Sequence, residues 1–309
     1  MKQKHMVLYL KGLLMGAVDI IPGLSGGTMA LITGIYEELI WSINQFDLKK
    51  ISLLRQKGAL AFWQAINGSF LFPLSLGVLS GILFLSSTIT YLITHHAILI
   101  WAFFFGLIIA SIIFLLRQLE KLNFMRLLLF TFGAVTAYSI TQLTPSGTSN
   151  SLVYLFLCSM IAIIAMILPG ISGAFLFILL GVYEEVLNTI KGAIGVLFNF
   201  NWHDFQSIYS KVAVIGLGIL IGLKLFSKVL SWLFTHKKEQ TLALLIGFML
   251  GALPKIWPWK SVQLLNGKEQ LSNISPLNYE GEPQLALALG LMLLGGFVLF
   301  LIERLATKK

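Results

Sequence analysis

Apolar residues run along this chain in long blocks separated by short polar stretches. Six blocks, 70–94, 97–116, 124–143, 211–234, 240–257 and 284–303, are long and strongly apolar. Each has about the 20 residues that an α-helix needs to cross a bilayer. Two further apolar runs, 6–44 and 151–190, are interrupted by "PGLSGG" (22–27) and "PGISGA" (169–174). Proline lacks an N–H and collides with the preceding turn, and glycine admits unusual backbone angles. Each run therefore predicts two helical arms joined at a break. The arms 6–21, 26–44, 151–168 and 173–190 are short for full crossings, so re-entrant hairpins are expected. The stretch 45–69 reads as an amphipathic helix lying on a membrane surface.

The two interrupted runs repeat one another. A shift of 147 residues lays Pro22, Gly23, Ser25 and Gly26 on Pro169, Gly170, Ser172 and Gly173, and "GIYEEL" on "GVYEEV". Eight of the 18 positions from 22 to 39 are identical. A shift of 141 lays Gly77, Gly81 and Gly106 on Gly218, Gly222 and Gly247. Ordered matches of this kind divide the chain into repeats 1–149 and 150–309. Each repeat contains one hairpin and three crossings, an odd number, so the second is inverted. The fold class expected is an all-α polytopic membrane protein of two inverted repeats.

Charge orients this path. With both termini cytoplasmic, 17 of the 22 lysines and arginines fall inside and five outside. Excess basic residues mark the cytoplasmic face. The net charge of +9 is thus topological, and no nucleic-acid-binding pattern accompanies it. Composition agrees: 57% hydrophobic and 11% charged, against about 25% charged in soluble domains. The lone Cys158 excludes a disulfide within the chain. No metal site or cofactor motif is expected; His95 and His96 have no companion ligands nearby in sequence. Trp63, Trp101, Trp202, Trp257 and Trp259 lie near segment ends, as in an interfacial belt.

The candidate chemistry gathers at the breaks. Helices restarting after Pro22-Gly23 and Pro169-Gly170 expose N–H groups suited to a phosphate or carboxylate. Ser25, Gly26, Gly27, Thr28, Ser172 and Gly173 belong to these restarts, and Ser25, Thr28 and Ser172 are candidate caps. Paired broken segments in inverted repeats point to a transporter's central site. Asp19 has no counterpart in the second repeat, where Met166 stands. A carboxylate at membrane depth serves either as a proton carrier or as a cap for bent backbone. Tyr36, Glu37 and Glu38 recur as Tyr183, Glu184 and Glu185, candidates for coupling or gating. Lys224 and Lys228 share a helix face, to bind an anionic head group or to snorkel to the cytoplasmic surface.

These residues also carry a family resemblance. "GAVDIIPGLSGGTMALITGIYEELI", "LPGISGAFLFILLGVYEEVL" and "FFFGLIIAS" resemble the domain-of-unknown-function 368 family, with its polyprenyl-phosphate transporters of the PopT type. The resemblance covers essentially the whole chain. It implies a bacterial plasma-membrane flippase for cell-envelope biogenesis, returning undecaprenyl phosphate from the outer to the inner leaflet. Surrounding lipids are its other partners, and homo-oligomerisation stays open. The family pattern is met at Asp19, Pro22, Gly23, Ser25, Gly26, Gly27, Thr28, Gly34, Tyr36 and Glu37; Ala174 and Phe175 replace Gly27 and Thr28 in the second copy. Undecaprenyl-pyrophosphate phosphatases of the BacA type share inverted repeats and a PG-x-S-R-S-x-x-T loop. Gly26 stands where their arginine would clamp developing phosphate charge, which argues against an enzyme. A transporter of a small organic anion is the remaining alternative.

Overall fold

The structure is a computed structural model that describes residues 2–21, 24–120, 123–143, 151–198, 202–265 and 268–307. Thirteen helices were resolved among them. The first run gives α1 (Lys2–Asp19), α2 (Gly26–Ile32) and α3 (Tyr36–Asn44), followed by α4 (Leu48–Ala65). Next come α5 (Gly68–His95), α6 (Ala97–Gln118) and α7 (Phe124–Gln142). The second run gives α8 (Leu152–Ile167), α9 (Gly173–Leu179) and α10 (Tyr183–Phe198). Then follow α11 (Trp202–His236), α12 (Lys238–Ala252) and α13 (Leu285–Thr307). Among the described residues, five helices are long and apolar enough to cross a membrane, or six with the bent pair α9–α10. Large apolar side chains on their outer faces, such as Leu83, Phe84, Phe132 and Leu220, are exposed. Apolar surface on this scale fits contact with lipid.

Two expectations need correction. First, the fold is not wholly helical. Strands β1 (Lys260–Leu265) and β2 (Lys268–Asn273) pair antiparallel between α12 and α13. Asn266-Gly267 joins them in sequence, a pair favoured in two-residue hairpin turns. Second, the arms 26–44 and 173–190 are not single helices. Each stops at a glycine with positive φ, Gly34 (71°) or Gly181 (69°). Gly34 N–H donates to Leu31 O and Ile35 N–H to Ala30 O; Gly181 N–H donates to Ile178 O and Val182 N–H to Phe177 O. Both ends are Schellman motifs, which need the left-handed residue that glycine supplies. The chain then turns sharply, by 117° between α9 and α10. The helix expected over 45–69 is present as α4, kinked at Gly58.

Glycines set the helix pairing. A Cβ on Gly12 or Gly16 of α1 would strike the Leu74 or Val78 carbonyl of α5, and one on Gly77 or Gly81 of α5 would strike Tyr9 or Leu13 of α1. Gly218 and Gly222 of α11 approach Phe156 and Met160 of α8 in the same way. Gly106 and Gly295 bring α6 against α13, and Gly133, Gly247 and Gly251 bring α7 against α12. Small residues let helix backbones touch where lipid offers no hydrophobic drive for association. Gly77→Leu should therefore destabilise by about 1–3 kcal/mol, the usual cost of overpacking. Gly216→Ala faces open space and should be neutral or stabilise by up to about 1 kcal/mol. Thermal midpoints of the two variants in detergent test the contrast.

Trp259 departs from the interfacial belt. It is 2% exposed, and its Nε1 donates to Pro283 O at 2.9 Å. Trp257 Nε1 donates to Ile274 O at 2.9 Å. Both indoles pin the segment that carries the β-hairpin.

Candidate functional site

The breaks meet. Ser25 caps α2 by accepting from Gly27 N–H at 3.1 Å. The same hydroxyl faces two carbonyls of the opposite break, Met166 O at 2.9 Å and Leu168 O at 3.2 Å. Thr28 Oγ1 accepts from Gly170 N–H at 2.9 Å. Tyr36 reaches the same strand of backbone, its hydroxyl donating to Ile167 O at 3.1 Å. Its ring packs edge-on against Phe234 of α11, 5.6 Å between centroids. Ser25, Thr28 and Tyr36 are buried, so these bonds form away from solvent. They satisfy carbonyls and an amide freed where the second run is broken, which membrane burial requires.

Asp19 ends α1 and turns back. Its Oδ1 accepts from Gly26 N–H at 2.5 Å, a cap on the restarting helix. Thr28 N–H donates to Ser25 O at 2.9 Å. The three leading amides of α2 thus have partners within the first break. The second restart differs: Ser172 is buried but makes no side-chain cap to α9. Pro169, Gly170 and Gly173 are buried in the same junction, Gly170 with a φ of 87°. Pro22 and Gly23 lie outside the described residues.

A cavity of about 10 Å³ lies beside the breaks, lined by Leu24, Thr28 and Gly170 from them and by Ile108, Met249, Ala252, Leu253 and Ile256 from α6, α12 and the turn that follows it. That is room for one water at most.

The other candidates stand apart from this contact. Lys224 Nζ donates to Asn44 O at 2.6 Å, capping the carbonyl end of α3. Glu37 Oε1 pairs with Lys238 Nζ at 2.7 Å, and Glu38 accepts from Asn67 Nδ2 at 3.2 Å. Glu185 Oε1 pairs with Lys211 Nζ at 2.9 Å. Tyr183 is 38% exposed, unlike its buried counterpart Tyr36, and Glu184 is exposed. The Glu37–Lys238 pair is half-exposed on both sides, and such pairs contribute about 0–1 kcal/mol. Glu37→Gln is therefore expected to leave the thermal midpoint within about 2 °C of wild type, checked by a melt in detergent.

Lys11, counted in the sequence only as cytoplasmic charge, has a structural role. Its Nζ donates to Thr33 O at 2.6 Å, closing the carbonyl end of α2. The matching carbonyl of α9, Leu180 O, accepts from Tyr154 of α8 at 2.9 Å. A position facing each Schellman turn from the preceding helix was the signal available.

Taken together, crossing helices, a lipid-facing apolar surface and two buried breaks define a multi-pass membrane protein. Residues 15–273 match the VCA0040-like family, described as undecaprenyl phosphate translocase-like, and the chain belongs to that family. It is 40% identical over 315 residues to a polyprenyl-phosphate transporter of Vibrio cholerae, covering 98% of each chain. It is 31% identical over 270 residues to a polyprenyl-phosphate transporter of Staphylococcus aureus, covering 84% of this chain and 88% of that one. No solved structure shows significant similarity to it.

Proposed function

We propose that this protein is a flippase returning undecaprenyl phosphate from the outer to the inner leaflet of the bacterial plasma membrane. The names of the two relatives and of the family support polyprenyl phosphate as its substrate class. The observation that carries the reading in this chain is the buried contact of Ser25, Thr28 and Tyr36 with Met166–Gly170. It joins two broken segments from the two halves, the arrangement that lets halves rock about a central site.

Repeats 1–149 and 150–309 are inverted in this reading, with both termini cytoplasmic. Matched pairings support it: α1 packs on α5 as α8 packs on α11, and α6 packs on α13 as α12 packs on α7. The hairpins are re-entrant and meet near the midplane. The phosphate occupies the space between the breaks once they part, while the polyprenyl tail stays in lipid. The larger cost, carrying a charged phosphate through hydrocarbon, is avoided by shielding the phosphate between the breaks.

Asp19 links the site to a cation gradient, proton or sodium. As a carboxylate it holds Gly26 N–H and repels phosphate. Protonated, or paired with sodium, it is a weaker acceptor and yields the amide to the incoming headgroup. The protein moves the lipid without hydrolysing it, since Gly26 leaves no arginine clamp in the break.

The test is reconstitution in proteoliposomes with labelled undecaprenyl phosphate under imposed pH and sodium gradients. Inward movement at least tenfold above empty liposomes is expected. No movement in any gradient would falsify the transport reading. Release of phosphate from undecaprenyl pyrophosphate by the purified protein would replace it with an enzymatic one.

A further inference from the structure

Two lysines sit beside the second break without a carboxylate partner. Lys255 lies in the short 3-10 turn Leu253–Ile256 that follows α12, and Lys260 opens β1. Lys255 Nζ stands 4.3 Å from the ring centre of Phe175, in the first turn of α9. Lys260 Nζ stands 4.8 Å from the ring centre of Trp101 on α6 and donates to Lys255 O at 2.7 Å. Among the described residues, neither lysine forms an ion pair. Glu280 and Glu282, the nearest acids in the following loop, are exposed.

Aromatic contacts and hydrogen bonds frame them. Trp257 stacks edge-on with Phe105 at 5.2 Å and with Trp259 at 5.3 Å. Asn273 Nδ2 donates to Pro254 O at 2.8 Å, and Ile274 N–H to Trp259 O at 3.1 Å. The β-hairpin thereby clamps the lysine-bearing turn. Burial, and then the Lys255 charge, pulls the Lys260 ammonium down to about 8. Two partly buried cations close enough to repel are costly unless an anion offsets them. The turn also touches the central cavity: Leu253 and Ile256, on either side of Lys255, line it together with Thr28 and Gly170.

We propose that Lys255 and Lys260, on their Phe175 and Trp101 platforms, form an entry site for the phosphate monoester headgroup on the β-hairpin face. This rests on the transport reading, in whose orientation that face is outside. Two ammonium groups match a phosphate dianion; each Nζ rests over an aromatic face, and the donors that neither the ring nor the Lys255 carbonyl occupies remain to bind it. Lys255 then passes the phosphate to the breaks, because its own turn forms part of the cavity wall.

The experiment is binding to the full-length protein in detergent, followed by tryptophan fluorescence and thermal shift. Farnesyl phosphate is the probe, farnesol the phosphate-free control and inorganic phosphate the competitor. Lys255→Gln/Lys260→Gln should weaken farnesyl phosphate at least tenfold and leave farnesol unchanged. Lys255→Arg/Lys260→Arg should stay within threefold of wild type. Competition by inorganic phosphate supports a site that reads phosphate alone. Failure to compete, with farnesyl phosphate still bound through the lysines, supports one that reads phosphate only on a lipid. Wild-type affinity in the folded glutamine variant overturns the site. Should that variant aggregate, the single glutamine variants decide, each expected at least threefold weaker, and wild-type affinity in both overturns it. Transport that persists alongside unchanged binding rejects this site but not the function. A wild-type protein that neither moves nor binds polyprenyl phosphate rejects the function itself.

Discussion

Gly27→Ala should abolish lipid transport and lower the thermal midpoint, although it adds one methyl group. A Cβ at Gly27 would fall on the Ile167 carbonyl oxygen, and the Ser25 hydroxyl would lie 3.1 Å from it. A backbone carbonyl cannot rotate aside as a side chain can. Helix α2 must therefore retreat from the second break. That retreat stretches the Ser25 bond to Met166 O, the Gly170 N–H bond to Thr28 and the Tyr36 bond to Ile167 O. Overpacking costs about 1–3 kcal/mol, and each buried group left unpaired adds about 1–3 kcal/mol. The matching residue of the second repeat, Ala174, is exposed and meets no such obstacle. Ala174→Gly should cost no more than about 1 kcal/mol. Uptake in proteoliposomes and melting in detergent check both variants. Normal uptake by Gly27→Ala would mean that the breaks need not touch for transport.

That asymmetry shows where sequence reading carries and where it stops. Gly27 against Ala174 is visible in the aligned repeats, but its cause is the opposing Ile167 carbonyl, which has no side-chain signature. The crossing helices were legible because a bilayer demands continuous apolar length, and 70–94, 97–116 and 124–143 became α5, α6 and α7 within a few residues. The breaks at Pro22 and Pro169 were legible for the same reason in reverse. The second turns at Gly34 and Gly181 were present in the repeated "GIYEE" and "GVYEE" stretches. They went unread because a lone glycine in an apolar run also suits close helix packing, as Gly77 and Gly218 do. Lys224 had two readings, and the free carbonyl end of α3 at Asn44 gave it a third role that neither anticipated. Lys11 was read as topological charge because a capped carbonyl 22 residues away leaves no mark on local composition.

Asp19 is where the two readings of a membrane carboxylate part experimentally. As a cap it needs only an acceptor for Gly26 N–H. As a coupling group it needs to titrate. Asp19→Asn keeps an oxygen in the same place, so the fold should hold, with a midpoint near wild type. Asp19→Ala leaves Gly26 N–H buried without its partner and should cost about 1–3 kcal/mol. The coupling role predicts a different pattern in transport. An acidic outer compartment protonates Asp19 when the site faces outward, frees the amide and draws phosphate in. The proton is then lost to the more alkaline interior, and the carboxylate recaptures Gly26 and displaces the headgroup. Inward movement in wild type should therefore rise when the outside is acidified and fall when the gradient is reversed. Asp19→Asn should lose at least tenfold of the gradient-driven rate and respond equally to both gradient directions. If the asparagine variant keeps the wild-type response to pH, Asp19 is a cap and the coupling group lies elsewhere. If both variants melt like wild type, the cap contributes little, and the short contact to Gly26 serves only to position the carboxylate.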